Sequence, residues 1–151
     1  MNKLFNTEFE VSLRLLLLLK TAGAGGLTVD RAAVSDYVAI YSKSCGIWDE
    51  NLNGDSSYCF SEFATKRLLV SKALKTMVLN GVADVAPSKN GFLYYLSETG
   101  KKAVAKMNNL YSFMYIMHAK KALDYFKNTP DNALMDAFNV IAARSREDSD
   151  E

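Results

Sequence analysis

Gly81-Val82-Ala83-Asp84-Val85-Ala86-Pro87-Ser88-Lys89-Asn90-Gly91-Phe92-Leu93-Tyr94-Tyr95-Leu96 holds two short apolar runs about a Ser88-Lys89-Asn90-Gly91 turn. Asn-Gly between apolar runs supplies the positive φ that a tight antiparallel turn demands, so strands are expected over Val82–Ala86 and Phe92–Leu96. What precedes the hairpin gives it meaning. From near Ser61 to Leu79 a helical spacing stacks Val70, Ala73, Leu74 and Met77 on one face, with Glu62 early for the helix dipole and Asn80-Gly81 as the stop. A helix that runs directly into a two-stranded wing is the second half of a winged helix-turn-helix unit.

The chain upstream supplies the rest of that unit. Glu8 to Thr21 reads as a first helix with Phe9, Leu13, Leu16 and Leu17 on one face and Glu10 placed to pair with Arg14 at i,i+4. After Arg14 it is apolar all round and must be covered on more than one side, by its own domain or by another chain, which makes Leu15 and Leu18 candidate partner contacts. Gly23, Gly25 and Gly26 break it. Thr28 then caps a second helix with Asp30 in its first turn and Val34, Tyr37, Val38 and Tyr41 facing inward. Ser42–Phe60 has no sustained period and reads as a long loop, compatible equally with a tolerated insertion and a working segment.

Downstream, a short helix is expected from Ser97 or Thr99 to Met107. A fifth helix over Leu110–Phe126 is apolar nearly all round in its first half, and Thr129-Pro130-Asp131 opens a sixth with Leu134, Ala137, Phe138 and Ile141 on one face. The expected fold class is mainly α with a small β-hairpin. It comprises a winged helix-turn-helix-like domain over 1–107, a helical extension over 108–143 packed on it or on a partner, and a disordered acidic tail over 144–151.

With 151 residues, 49% hydrophobic and 23% charged, the chain has the makings of one soluble globular core. The formal charge of +1 excludes a grossly basic nucleic-acid binder, but the distribution is uneven: 61–107 carries 8 basic and 3 acidic residues, 129–151 carries 2 and 6. Cys45 and Cys59 are too few for a disulfide scaffold. The leucine run Leu15–Leu19 is preceded by Glu8 and Glu10 and is shorter than the ~7–15 residues of an export signal core. No stretch approaches the ~18 apolar residues of a membrane span, so a cytoplasmic protein without a membrane partner is expected.

The residues offer little for catalysis. His118, the only histidine, has no Cys or carboxylate at i±3 or i±4, the two cysteines form no CxxC, and neither a dinucleotide fingerprint nor a phosphate loop is present. The expectation is no enzyme, no cofactor and no metal. Lys66, Arg67, Lys72 and Lys75 on the third helix and Lys89 at the wing tip are candidate contacts to DNA phosphates, or else a solvated basic face. In projection Lys72 and Lys75 lie opposite the core stripe. Leu68 and Leu79 share that face and suit a protein interface better than a phosphate track. Tyr111, Met114 and Tyr115 are candidate partner contacts on the fifth helix, and the wing aromatics are expected to pack mainly against helices one and five.

Phe5-Asn6-Thr7-Glu8-Phe9-Glu10-Val11-Ser12-Leu13-Arg14 before the leucine run, then Leu27 to Asp30-Arg31, Asp36-Tyr37, Arg67, the Gly81 stop and an aromatic strand ending near Thr99 follow a particular order. In that order Phe5 to Lys106 resembles the middle component of bacterial ABC-three-component systems, although Ser42–Phe60 lacks the Pro/His-rich part of that family's loop. The resemblance implies a winged-helix-like accessory subunit encoded between an SMC- or RecN-like coiled-coil ATPase and an effector, commonly a nuclease, in Lamassu-type defence against phage and plasmids. It implies docking on the ATPase, help in coupling DNA sensing to effector control, and double-stranded DNA reached through the complex. The competing reading is a dimeric transcriptional regulator with helix three in the major groove and helix five at the two-fold axis.

Overall fold

The computed structural model describes residues 7–52 and 62–150. Its elements are α1 (Glu8–Ala22), α2 (Val29–Ile40), α3 (Phe63–Leu79), β1 (Ala83–Ser88), β2 (Gly91–Leu96), α4 (Glu98–Ala105), α5 (Leu110–Phe126) and α6 (Asp131–Asp150), with a 3-10 turn over Gly23–Gly25. The order is that of a mainly α, winged-helix-like fold with one antiparallel hairpin. Helix starts follow local chemistry. The side chains of Thr7, Thr28, Ser97 and Asn109 each accept a hydrogen bond from a first-turn backbone N–H that would otherwise lack a partner.

The second helix is the centre of the molecule. Every residue from Ala32 to Ile40 is buried, and α1, α3, α5 and α6 surround it. Ala32, Ala33, Ser35 and Ala39 are small enough to let the neighbours approach. Asp36, buried among them, needs a counter-charge, and Arg14 of α1 provides it through paired bonds, Nε to Oδ1 at 2.9 Å and Nη2 to Oδ2 at 3.1 Å. Tyr115 of α5 donates to the same carboxylate at 2.6 Å. Arg14 therefore serves the core, whereas the sequence reading paired it with Glu10 on its own helix. Burial works to lower its pKa, but Asp36 outweighs that and holds the guanidinium charged. Burial and Asp36 together push the Tyr115 hydroxyl well up, so it remains a donor.

The hairpin pairs Ala83 with Leu96 through to Ser88 with Gly91, leaving Lys89-Asn90 as its two-residue loop. The first strand thus extends beyond the expected Ala86 to Ser88. Leu27 adds a single antiparallel bridge on the far side of β2, exchanging bonds with Tyr94 at 2.9 and 2.8 Å. Glycine is required beside it: Gly26 has φ +70, and a Cβ there would lie 2.7 Å from the Tyr94 carbonyl oxygen. Gly100 has a different reason, since its Cβ would meet the Val82 carbonyl oxygen at 2.0 Å where α4 seats on the hairpin. Tyr94 and Leu96 turn inward and β2 lies against α1 and α2, while Phe92 stands exposed near the tip.

The helices after residue 107 share this core. Tyr115, Phe126, Leu134 and Phe138 join one cluster with Leu15, Tyr37 and Leu74. Arg31 ties down the link between α5 and α6, reaching Asp131 at 2.7 Å and the carbonyl oxygens of Phe126 and Thr129. The sixth helix runs on to Asp150 where a disordered tail from 144 was expected. Ala142, Ala143, Arg144, Arg146 and Glu147 favour helix, and neither Gly nor Pro interrupts them. Leu15 and Leu18 are fully buried by α1's neighbours α2, α3, α4, α5 and β2, which corrects their assignment to a partner surface.

Removing the carboxylate in Asp36→Ala leaves Arg14 charged and buried without a partner, which costs about 3–5 kcal/mol. Tyr115→Phe, losing one bond to a charged acceptor, is expected to cost about 1.5–3 kcal/mol. Urea unfolding of both variants measures this; a shift under about 1 kcal/mol for Asp36→Ala would show that the cluster does not hold the helices together.

Candidate partner and nucleic-acid surfaces

The inward face of α5 is made of Ser112, Tyr115, Ala119, Ala122 and Phe126, spaced at i+3 and i+4. Opposite them Leu110, Phe113 and Met117 are 73%, 56% and 52% exposed. They form one apolar stripe over about 10 Å of helix, and the same face continues into exposed Lys120 and Lys121. Of the three residues expected to meet a partner here, Tyr115 is in the core and bound to Asp36. Tyr111 is half-buried with its hydroxyl bonded to Arg14, and Met114 is half-buried. Leu110, Phe113 and Met117 were missed. The phase of the helix was written in its small residues, Ser112, Ala119 and Ala122, which a run of large apolar side chains obscures.

Between the outward face of α3, the wing and the starts of α2 and α6 lies a groove of about 610 Å³. It brings together Arg67, Lys75 and Lys89 from the basic set, with Ser71, Asn90 and Phe92 beside them and Asp30 and Asp131 on its wall. Arg67 Nε donates to Asp30 Oδ1 at 2.6 Å, so its charge is partly answered within the chain. Lys66 is not on this wall: its ammonium donates to the Tyr41 hydroxyl at 3.2 Å and sits 5.2 and 4.8 Å over the Tyr37 and Tyr41 rings. Lys72 is largely exposed, 3.8 Å from the Glu8 carboxylate. Lys75 and Lys89 are exposed and have no carboxylate within ion-pair distance among the described residues. Leu68 and Leu79 stand in solvent on the outer face of α3, as the helical projection requires.

A third constellation was not foreseen. The chain after α2 turns back so that Ser42 Oγ lies 2.9 Å from His118 Nδ1, and Nδ1 is also 3.1 Å from the Ala39 carbonyl oxygen. Trp48 stacks on the imidazole at 4.6 Å, and Lys121 Nζ lies 4.7 Å over the indole. A serine and a histidine in contact invite a nucleophilic reading. Here Ser42 is fully buried and donates to the Ala39 carbonyl at 2.8 Å, so its oxygen is shielded from any substrate. The arrangement acts as a latch that fastens the post-α2 segment to α5. Its remaining part, including Cys59, lies outside the described residues, and Cys45 is buried. Among the described residues no group of three His, Cys, Asp or Glu side chains could hold a metal, and no helix is long and apolar enough to cross a membrane.

These features define a mainly α, winged-helix-like protein whose distinctive surfaces are an apolar helix face and a basic groove beside the wing. Residues 4–148 match the model of the ABC-three component (ABC-3C) system Middle Component 2, and the chain belongs to this family. As the middle component of a multi-component system it works with protein partners. No curated protein and no solved structure matches it.

Burial holds the His118 pKa below its ordinary 6.5, so the folded latch favours the neutral ring. Its contribution is complete above the unfolded pKa and declines as pH falls through that value. Trp48 is the sole tryptophan and reports on this corner alone. Urea unfolding followed by Trp48 fluorescence is expected to give a lower midpoint at about pH 5.5 than at about pH 7.5, with His118→Gln flattening the dependence. A midpoint that rises on acidification contradicts the sign.

Proposed function

We propose that this chain is a non-catalytic accessory subunit of a defence complex against phage and plasmids. It seats on an SMC- or RecN-like coiled-coil ATPase through the outer face of α5 and helps couple DNA sensing to an effector nuclease, as in Lamassu-type systems. One observation carries the reading: Leu110, Phe113 and Met117 stand exposed close together on a single face of α5, whereas the exposed large apolar side chains of the other helices, Phe9, Leu68, Leu79 and Val140, are more widely spaced. Burying each is worth about 1.5–3 kcal/mol. Association itself costs about 4–15 kcal/mol, so the stripe serves as the anchor of a larger interface. Membership of a three-component family supports the existence of partners, and the sealed Ser42–His118 pair supports a subunit without chemistry of its own.

The groove with Arg67, Lys75 and Lys89 favours a supporting contact to double-stranded DNA through the complex. As a self-sufficient transcriptional regulator the chain is poorly equipped. Arg67 is engaged by Asp30, Lys66 is turned to Tyr41, and Asp30 and Asp131 stand on the groove wall. Two unengaged lysines give a slope of only about −2 in log affinity against log salt.

Co-expression of the chain with the companion ATPase tests the proposal. Phe113→Asp with Met117→Asp is expected to abolish co-purification while leaving the circular dichroism unchanged, and assembly at wild-type level would reject α5 as the docking face. Mobility shift with a short random duplex is expected to show weak binding by the isolated chain at about 50 mM salt that falls about tenfold by about 200 mM. Tight, salt-resistant binding to one palindrome would favour the regulator.

A further inference from the structure

The hairpin has one used edge and one free edge. Tyr94 exchanges both of its backbone bonds with Leu27, so its N–H and C=O point away from β1. Its partner across the ladder, Val85, is therefore in a non-hydrogen-bonded pair, and the Val85 N–H and C=O point outward from the sheet. The turn gives the same phase independently. Ser88 and Gly91 close a two-residue loop, which makes theirs a hydrogen-bonded pair, and counting back three residues returns Val85 to the outward set. Pro87 falls in that set too, where its missing N–H costs the ladder nothing. Among the described residues no group takes the outward Val85 bonds.

The side chain of Val85 shares a face with Tyr94, and beside them lies an apolar groove of about 260 Å³ lined by Val78, Leu79, Val85 and Tyr94 with Lys75 at its edge. Leu79 is 85% exposed. A strand laid along β1 would place the residue opposite Val85, and those two positions away, on this same face. The groove thus accepts alternate apolar side chains in register with the free backbone groups. Charge selects the occupant. Lys72, Lys75 and Lys89 are exposed around the outer face of α3 and the wing tip, so a second copy of this edge would bring like charges together.

We infer that the β1 edge receives an extended segment of a companion component, with apolar residues at alternate positions and acidic residues beside the lysines, adding a strand to the wing. This surface is separate from the α5 face, and the inference stands on the sheet edge alone.

Hydrogen exchange on the full chain, alone and co-expressed with the companion components of its own three-component system, is the test. Alone, the Val85 amide is expected to exchange near the unprotected rate while the Leu93 and Tyr95 amides are slow. In the complex Val85 is expected to slow at least tenfold. Val85→Pro removes the outward N–H without touching the ladder, and Leu79→Asp alters a side chain already in water. Each is expected to erase the effect and weaken binding of the inserted component at least tenfold, with thermal unfolding of Leu79→Asp unchanged. A complex in which Val85 exchanges as freely as in the isolated chain, or no complex at all with the wild-type chain, overturns the inference. Val85 protection in the concentrated isolated chain, together with a doubled mass, also overturns it and assigns the edge to a second copy. If Phe113→Asp with Met117→Asp still assembles, the α5 reading fails but Val85 protection can still be read in that complex. If only Val85 stays unprotected, the edge inference fails and the α5 reading stands.

Discussion

Asp36 lies buried at the middle of the central helix, and the structure around it follows from satisfying that carboxylate. The paired bonds from Arg14 fix the rotation of α1 against α2, because a planar guanidinium meets a carboxylate in few orientations. The Tyr115 bond then fixes the rotation of α5 against both. With Tyr115 committed inward, Leu110, Phe113 and Met117 have only the opposite side to occupy. The apolar stripe in solvent is thus a consequence of a buried charge on the opposite side of its own helix.

Much of the fold can be read before any coordinates, and the readable parts share a cause. Thr28, the Asn80-Gly81 stop and the Lys89-Asn90 loop act through backbone bonds only a few residues distant, so the local sequence contains the whole argument. What fails is long-range. Arg14 has Glu10 at a favourable spacing, yet it bonds Asp36, 22 residues away on another helix. The all-apolar stretch of α1 calls for cover by its own domain or by another chain, and local sequence does not decide between them. Its own chain covers it, because α1 has neighbours on every side where an ordinary surface helix has them on one.

The candidate surfaces divide along the same line. Lys72 and Lys75 fall where a helical projection puts them, since exposure opposite a clear core stripe needs no partner to decide it. Lys66 and Arg67 are drawn toward Tyr41 and Asp30 of the α2 region, which spacing along α3 cannot reveal. The Ser42–His118–Trp48 latch joins residues 76 and 70 positions apart across a segment with no period, and only the fold brings them together. In α5 the signal was present but weak. Ser112, Ala119 and Ala122 mark the close-packed side, where small side chains between Tyr115 and Phe126 let α5 approach its neighbours.

A chain that covers its own leucine-rich helix does not require a partner in order to fold, and this changes what its exposed residues imply. Were α1 open, a companion would be part of the core and the pair would form as an obligate unit. With α1 closed around its leucines, the densest remaining apolar exposure is the first half of α5, with Leu79 and the wing residues Val85 and Phe92 as a second group and Phe9, Leu68, Tyr125 and Val140 standing singly. Such patches, set among lysines on a finished fold, suit association between preformed surfaces, in which partners can be exchanged without unfolding. A middle component of a multi-component system has use for that kind of contact. The buried ion pair thus fixes the shape of the protein, and the partners are left to the few large side chains that the shape leaves outside.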